Sequence, residues 1–108
     1  MRRLAVTAIA AFIAAAAVWA QDGADPSGKA VYDKWCTPCH GDGPGKPGTM
    51  VLIQRYGDRL PALLEERSDM TYEYLQTFVR QGVGVMPPFR KTEITDSELE
   101  AMIDYLLR

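Results

Sequence analysis

The sequence predicts an all-α domain of about four helical segments, and three observations carry that prediction. Thr95-Asp96-Ser97-Glu98 is a complete capping box, with a hydroxyl at the N-cap and a glutamate three positions later, just before an apolar run. Leu75, Phe78 and Val79 follow the i, i+3, i+4 rhythm of one buried helix face, and Leu99, Met102, Ile103 and Leu106 do the same. No segment supplies the alternating β-branched run that a sheet strand needs.

The first twenty residues stand apart. Arg2 and Arg3 form a positive start, Leu4 to Ala17 is an unbroken alanine-dominated stretch, and Val18-Trp19-Ala20 ends on the small residue that a signal peptidase reads. We expect residues 1–20 to be a signal peptide and residues 21–108 to form one small exported domain. The competing expectation is a retained membrane anchor. Leu4 to Ala20 is 17 residues long, at the short edge of a bilayer span, and alanine adds little to insertion.

The remaining elements follow in order. Asp25-Pro26 reads as a helix start, an aspartate at the N-cap with proline at the first helical position. Gly28, Val31, Tyr32 and Trp35 then share one face of a helix that runs into Cys36-Thr37-Pro38-Cys39-His40. Gly41 to Thr49 holds four glycines and two prolines and reads as loop throughout. A phosphate-cradling loop would end in Gly-Lys-Ser/Thr, which this segment lacks. Pro61 to Glu66 is a short helix candidate with Leu63 and Leu64 inward. Thr71 caps a helix from Tyr72 to Gln81, and Gly82 stops it. Val83 to Phe89, with Gly84 and the Pro87-Pro88 pair, is loop, and the capping box at Thr95 opens the last helix.

The C-x-x-C-H string at residues 36–40 is the attachment signal of a c-type haem. Two thiols three positions apart can each add across one vinyl group of the same porphyrin edge. The next residue then lies under the iron, where an imidazole nitrogen fills the proximal axial position. Cys36 and Cys39 are the only cysteines and His40 the only histidine. Structural zinc wants four nitrogen or sulfur ligands, and these three fall short. A redox dithiol of the Cys-x-Pro-Cys kind belongs after a buried strand, whereas the preceding segment here reads helical. A disulfide between the pair would close too small a loop to stabilise much.

A second axial ligand is sought among the methionines. Met102 lies on the apolar stripe of the last helix and reads as core filler. Met70 sits just before a helix cap, and Met50 follows the glycine loop only ten residues after His40. Met86 stands in an extended loop 46 residues beyond His40, beside two prolines that restrict its backbone. We expect Met86 to be the distal thioether ligand, which favours ferrous iron and raises the potential.

Removing Arg2 and Arg3 leaves 10 basic against 14 acidic side chains, a formal charge of −4. That balance argues against nucleic acid and against an acidic membrane surface, and it suits a partner with a basic docking patch. A domain this small also buries little apolar surface, and a covalently held porphyrin would serve as its staple.

A Gly-x-x-x-Tyr helix running into C-x-x-C-H, a later Met-Pro loop and a final helix ending Ile103-Asp104-Tyr105-Leu106 together resemble a class I c-type cytochrome. The resemblance spans residues 26–108. It implies a small helical fold around one covalently attached haem c, with the first and last helices crossing where Gly28 and Tyr32 meet Tyr105 and Leu106. A narrower likeness runs through Tyr74 to Gly82 and on to Met86-Pro87-Pro88-Phe89. This stretch is similar to the cytochrome subunit of flavocytochromes that oxidise 4-alkylphenols, the p-cresol methylhydroxylase and eugenol hydroxylase type.

These resemblances imply a periplasmic one-electron carrier with His40 and Met86 on the iron, no substrate chemistry of its own, and a flavin-dependent phenol-oxidising dehydrogenase as donor. A downstream acceptor would complete the circuit. The alternatives are a freely diffusing general carrier, a peroxidase-like or gas-binding haem protein if Met86 does not ligate, and a thiol-disulfide oxidoreductase using Cys36 and Cys39.

Overall fold

The structure, a computed structural model, describes residues 27–108. The expected signal segment and the Asp25-Pro26 helix start lie outside those residues. Among the described residues the fold is all-α, with five helices: α1 (Gly28–Trp35), α2 (Thr37–His40), α3 (Pro47–Tyr56), α4 (Tyr72–Gln81) and α5 (Asp96–Leu106). Two 3₁₀ turns, Gly57–Arg59 and Leu64–Glu66, bridge α3 and α4.

Each helix end has a local chemical reason. Ser27 caps α1, its Oγ accepting from the Ala30 N–H at 3.2 Å. Thr71 caps α4 in the same manner, and Gly82 ends that helix at φ 69°, a left-handed conformation that costs glycine nothing. The capping box of α5 is complete: the Thr95 side chain accepts from the Glu98 N–H while Glu98 accepts from the Thr95 N–H at 2.8 Å.

Two sequence expectations need correction. The loop expected over 41–49 ends at Lys46, because Pro47 opens α3 rather than breaking a helix. A proline at the first turn gives up an N–H that has no intrahelical acceptor anyway, so it starts helices well. The short helix expected over 61–66 contracts to the 3₁₀ turn at Leu64–Glu66; Leu64 packs on the core, and Leu63 is half-buried.

The core lies where α1 crosses α5. Tyr32, Leu99, Met102 and Ile103 are all at most 2% exposed, and each such side chain contributes about 1.5–3 kcal/mol by leaving water. The crossing is close because Gly28 has no side chain: a Cβ there would stand 1.9 Å from the Ala101 carbonyl oxygen and 2.8 Å from Tyr105 Cβ. One turn on, the rings of Tyr32 and Tyr105 meet at 5.7 Å between centroids. The Tyr105 hydroxyl also donates to Glu65, tying α5 to the second 3₁₀ turn. This crossing holds the start of α2, and hence residues 36–40, against one wall of the domain.

Candidate haem site

The helix α1 hands directly to α2: the Cys36 N–H donates to Tyr32 O at 2.8 Å, and the His40 N–H to Cys36 O at 2.7 Å. A single turn of helix therefore sets Cys36, Cys39 and His40. The buried Thr49 hydroxyl donates to Gly41 O at 2.7 Å and ties α3 to the end of that turn. On the far side, the Met86 loop is a tight reversal, with Val83 N–H donating to Met86 O at 3.1 Å and Met86 N–H to Val83 O at 2.9 Å. Gly82 and Gly84 supply the left-handed backbone that this reversal requires, at φ 69° and 56°.

Between these walls lies an apolar slot in two lobes, of about 350 and 310 Å³. Cys36, His40, Val79 and Met86 line both lobes, and Cys39 lines the second. All four residues singled out in the sequence thus converge on one slot. Trp35 and Phe89 close the second lobe, their rings edge to face at 5.9 Å. Met70 and Met102 also reach the first lobe, both within the buried core, whereas Met50 is half exposed and lines neither lobe.

Burial sets the acid–base character of Cys36 and His40. Burial, and secondarily Cys39, pushes the Cys36 thiol up to about 12. Redox-active cysteines need the opposite, a depressed pKa and a ready thiolate. Burial likewise lowers the His40 pKa, keeping the imidazole neutral as a metal ligand must be. Its Nδ1 is buried without a hydrogen-bond partner among the described residues, and the ring lies against Gly48, where a Cβ would stand 2.7 Å from Cε1.

The first lobe has a cationic side that the sequence reading did not find. Arg67 has a side chain only 3% exposed, and its Nε and Nη2 donate to the Asp69 carboxylate at 2.9 and 2.6 Å. Its guanidinium lies 5.0 Å from the Tyr56 ring centroid, and Arg55 approaches the same ring at 5.8 Å. Arg55, Tyr56 and Arg67 all line the lobe. Nothing in the spacing of Arg67 signals burial. Pro47, read as a helix opener, would have revealed α3 and with it Leu52, Arg55 and Tyr56.

Residues 23–106 match the family model described as cytochrome c oxidase, cbb3-type, subunit III. The chain belongs to this cytochrome c family. Among curated proteins and among solved structures, no match is found.

A cytochrome c domain carries covalently bound haem c with iron and transfers electrons, so the chain is an electron carrier rather than an enzyme. The residues of the slot fit that group on three counts. Two cysteines and a neutral imidazole stand on one helical turn; the walls are apolar; and Arg55, whose charge no carboxylate of the lobe lining matches, stands among the lining residues. Among the described residues no three His, Cys, Asp or Glu side chains gather as a metal site. A porphyrin supplies four equatorial nitrogens, so its iron asks the protein for only the axial pair. Among the described residues, no helix is long and apolar enough to cross a membrane.

Proposed function

We propose that this cytochrome c holds its haem through thioethers at Cys36 and Cys39, with His40 and Met86 as the axial ligands. The observation that carries the reading is the convergence of Cys36, His40 and Met86 on one apolar slot, from elements separated by the whole of α3 and α4. The haem supplies a one-electron couple at its iron. The protein's part is to fix the ring at one edge, fill both axial positions and keep water out. Val79 and Leu52 line the interior walls, and Arg55 would offset negative charge of the porphyrin carboxylates, Arg67 being already paired with Asp69. With both axial positions filled by protein, substrate binding at the iron is closed off.

The experiment is chemical and spectroscopic. Haem should remain on the polypeptide after acid denaturation and extraction with organic solvent, and the ferric protein should show a sulfur-to-iron charge-transfer band. Extracted haem, or a native spectrum without that band, contradicts the assignment.

We further propose that residues 1–20 direct export to the periplasm, that residues 21–108 are the mature domain, and that a flavin-dependent phenol-oxidising dehydrogenase donates the electrons. The rim of the slot supports a docking role: Val83 is 54% and Val85 89% exposed, and both line the two lobes. A small apolar centre of this kind sets the lifetime of a complex while surrounding charge sets its encounter rate. Rapid flavin-to-haem reduction on mixing with such a dehydrogenase and its phenol is the expected result; slow reduction at all concentrations, with no complex on sizing, leaves a freely diffusing carrier. The family match favours a second reading, in which the same domain passes electrons toward a terminal oxidase. Oxidation of the reduced protein by membranes containing such an oxidase tests it.

A further inference from the structure

Arg80, in the last turn of α4, sends its side chain away from its own helix and closes it on residues 89–96. Its Nη1 donates to the carbonyl oxygens of Phe89 at 3.1 Å and Ile94 at 2.8 Å, and its Nη2 to the Asp96 carboxylate at 2.8 Å. The Arg80 side chain is 18% exposed, while Asp96 is 65% exposed. Beside it, the Val79 carbonyl is one of the last four of α4, which lack intrahelical donors. It accepts the Phe89 N–H at 2.8 Å. The entry to the loop is equally close-packed, since a Cβ on Gly82 would stand 2.5 Å from Met86 O and 2.8 Å from Pro88 N. Loop 82–89 therefore folds tightly on itself at its entry and is fastened onto α4 at its exit, with Met86 between the two.

We infer that Arg80 is a positioning residue for the Met86 thioether, holding the exit of loop 82–89 closed so that the sulfur stays on the iron and external ligands stay out. The inference rests on the ligation by Met86 proposed above. The physical argument is one of competing states. A thioether is a weak ligand for ferric iron, so the fraction of time the loop is open is set by what fastens the loop rather than by the sulfur bond alone. Pro87 and Pro88 carry no N–H and so donate no backbone hydrogen bond. The exit is fastened by the Phe89 N–H on Val79 and by the guanidinium on two carbonyls. A charged donor bridging two carbonyls is worth more than a neutral hydrogen bond, and its loss leaves both oxygens needing water. Opening the loop supplies that water.

A purely architectural role for Arg80, tying α4 to the first turn of α5 through Asp96, makes a different prediction. It lowers the unfolding temperature and leaves ligand access unchanged. The test uses the ferric holoprotein titrated with imidazole, following the sulfur-to-iron band, with helicity monitored separately. An external ligand that needs the open loop binds in proportion to the open fraction. Arg80→Gln should therefore bind imidazole about tenfold more tightly or better, and should lose the band at a temperature where its helices persist. Asp96→Asn keeps both carbonyl contacts and should stay within about twofold of the native protein. Unchanged imidazole affinity in Arg80→Gln overturns the inference, as does an Asp96→Asn variant equal to it. If Arg80→Gln fails to fold, Arg80→Lys replaces it. The lysine keeps the charge but loses the planar fork that reaches two carbonyls, so unchanged affinity there is equally fatal. A native protein without the band overturns the Met86 ligation, and this inference with it. A native band that Arg80→Gln leaves as stable as before overturns the positioning role alone.

Discussion

The imidazole of His40 rests against Gly48: a Cβ at that position would lie 2.7 Å from Cε1 and 2.9 Å from Nδ1. Gly48 is the second residue of α3, so local helix propensity favours alanine there by up to about 1 kcal/mol. The contact reverses that sign. The Cys39 carbonyl oxygen also stands 2.9 Å from the same Cβ, so backbone as well as ring would have to give. Gly48→Ala should lower the thermal midpoint of the holoprotein and shift its reduction potential, because the imidazole proposed above as an axial ligand must turn. A midpoint equal to or above the native one contradicts this.

Gly28→Ala tests the helix crossing that sets the haem motif. With the Ala101 carbonyl oxygen 1.9 Å from the new Cβ, a backbone has to move. We expect a loss of about 2 kcal/mol or more in denaturant unfolding. Gly43→Ala, in open space at φ 91°, bears only backbone strain and should cost about 1 kcal/mol.

Arg67 and Asp69 are unequal partners, one buried and the other 40% exposed. Removing Asp69 strands a buried cation, whereas removing Arg67 frees a carboxylate that water can reach. Asp69→Asn should therefore destabilise more than Arg67→Met, by an order of about 2 kcal/mol. The pair also has a pH signature. The Arg67 guanidinium holds the Asp69 carboxyl below its ordinary value. Its stabilising contribution is thus complete above the unfolded aspartate range and lost as pH falls through the folded value. Unfolding profiles of the native protein and Asp69→Asn should converge below about pH 4.

Met86→Ala should abolish the sulfur-to-iron band, admit external ligands and lower the reduction potential, since the preference of thioether for ferrous iron is gone. Replacing Cys36 or Cys39 by Ser should leave one thioether and a poorly folded product. An unchanged potential in Met86→Ala, measured with the band still present, contradicts the ligand assignment.

Much of the helical architecture is legible in particular residues. Thr71, Gly82 and the Thr95–Glu98 box act through backbone groups within a few positions, so their chemistry survives without tertiary context, and all three work as expected. The apolar stripe of α5 is equally local in its periodicity. The start of α3 was not legible because Pro47 and Gly48 continue the glycine- and proline-rich run that begins at Gly41. Gly48 is there for the His40 ring, a neighbour eight positions away in the chain.

The sequence by itself determined the local geometry of the proposed attachment site. Two thiols and an imidazole within five residues are positioned by one turn of helix, whatever the remainder of the chain does. It determined as well which helices have a buried face. Tertiary structure alone decided what surrounds that chemistry: that Arg67 and Tyr56 turn toward the first lobe, that Met86 shares a slot with His40 and Cys36, and that Arg80 fastens the exit of the Met86 loop. The reason is physical. A cap or a haem-attachment turn is satisfied by neighbours in the chain, while a buried guanidinium or a clamped loop depends on acceptors that only the packing of distant segments supplies.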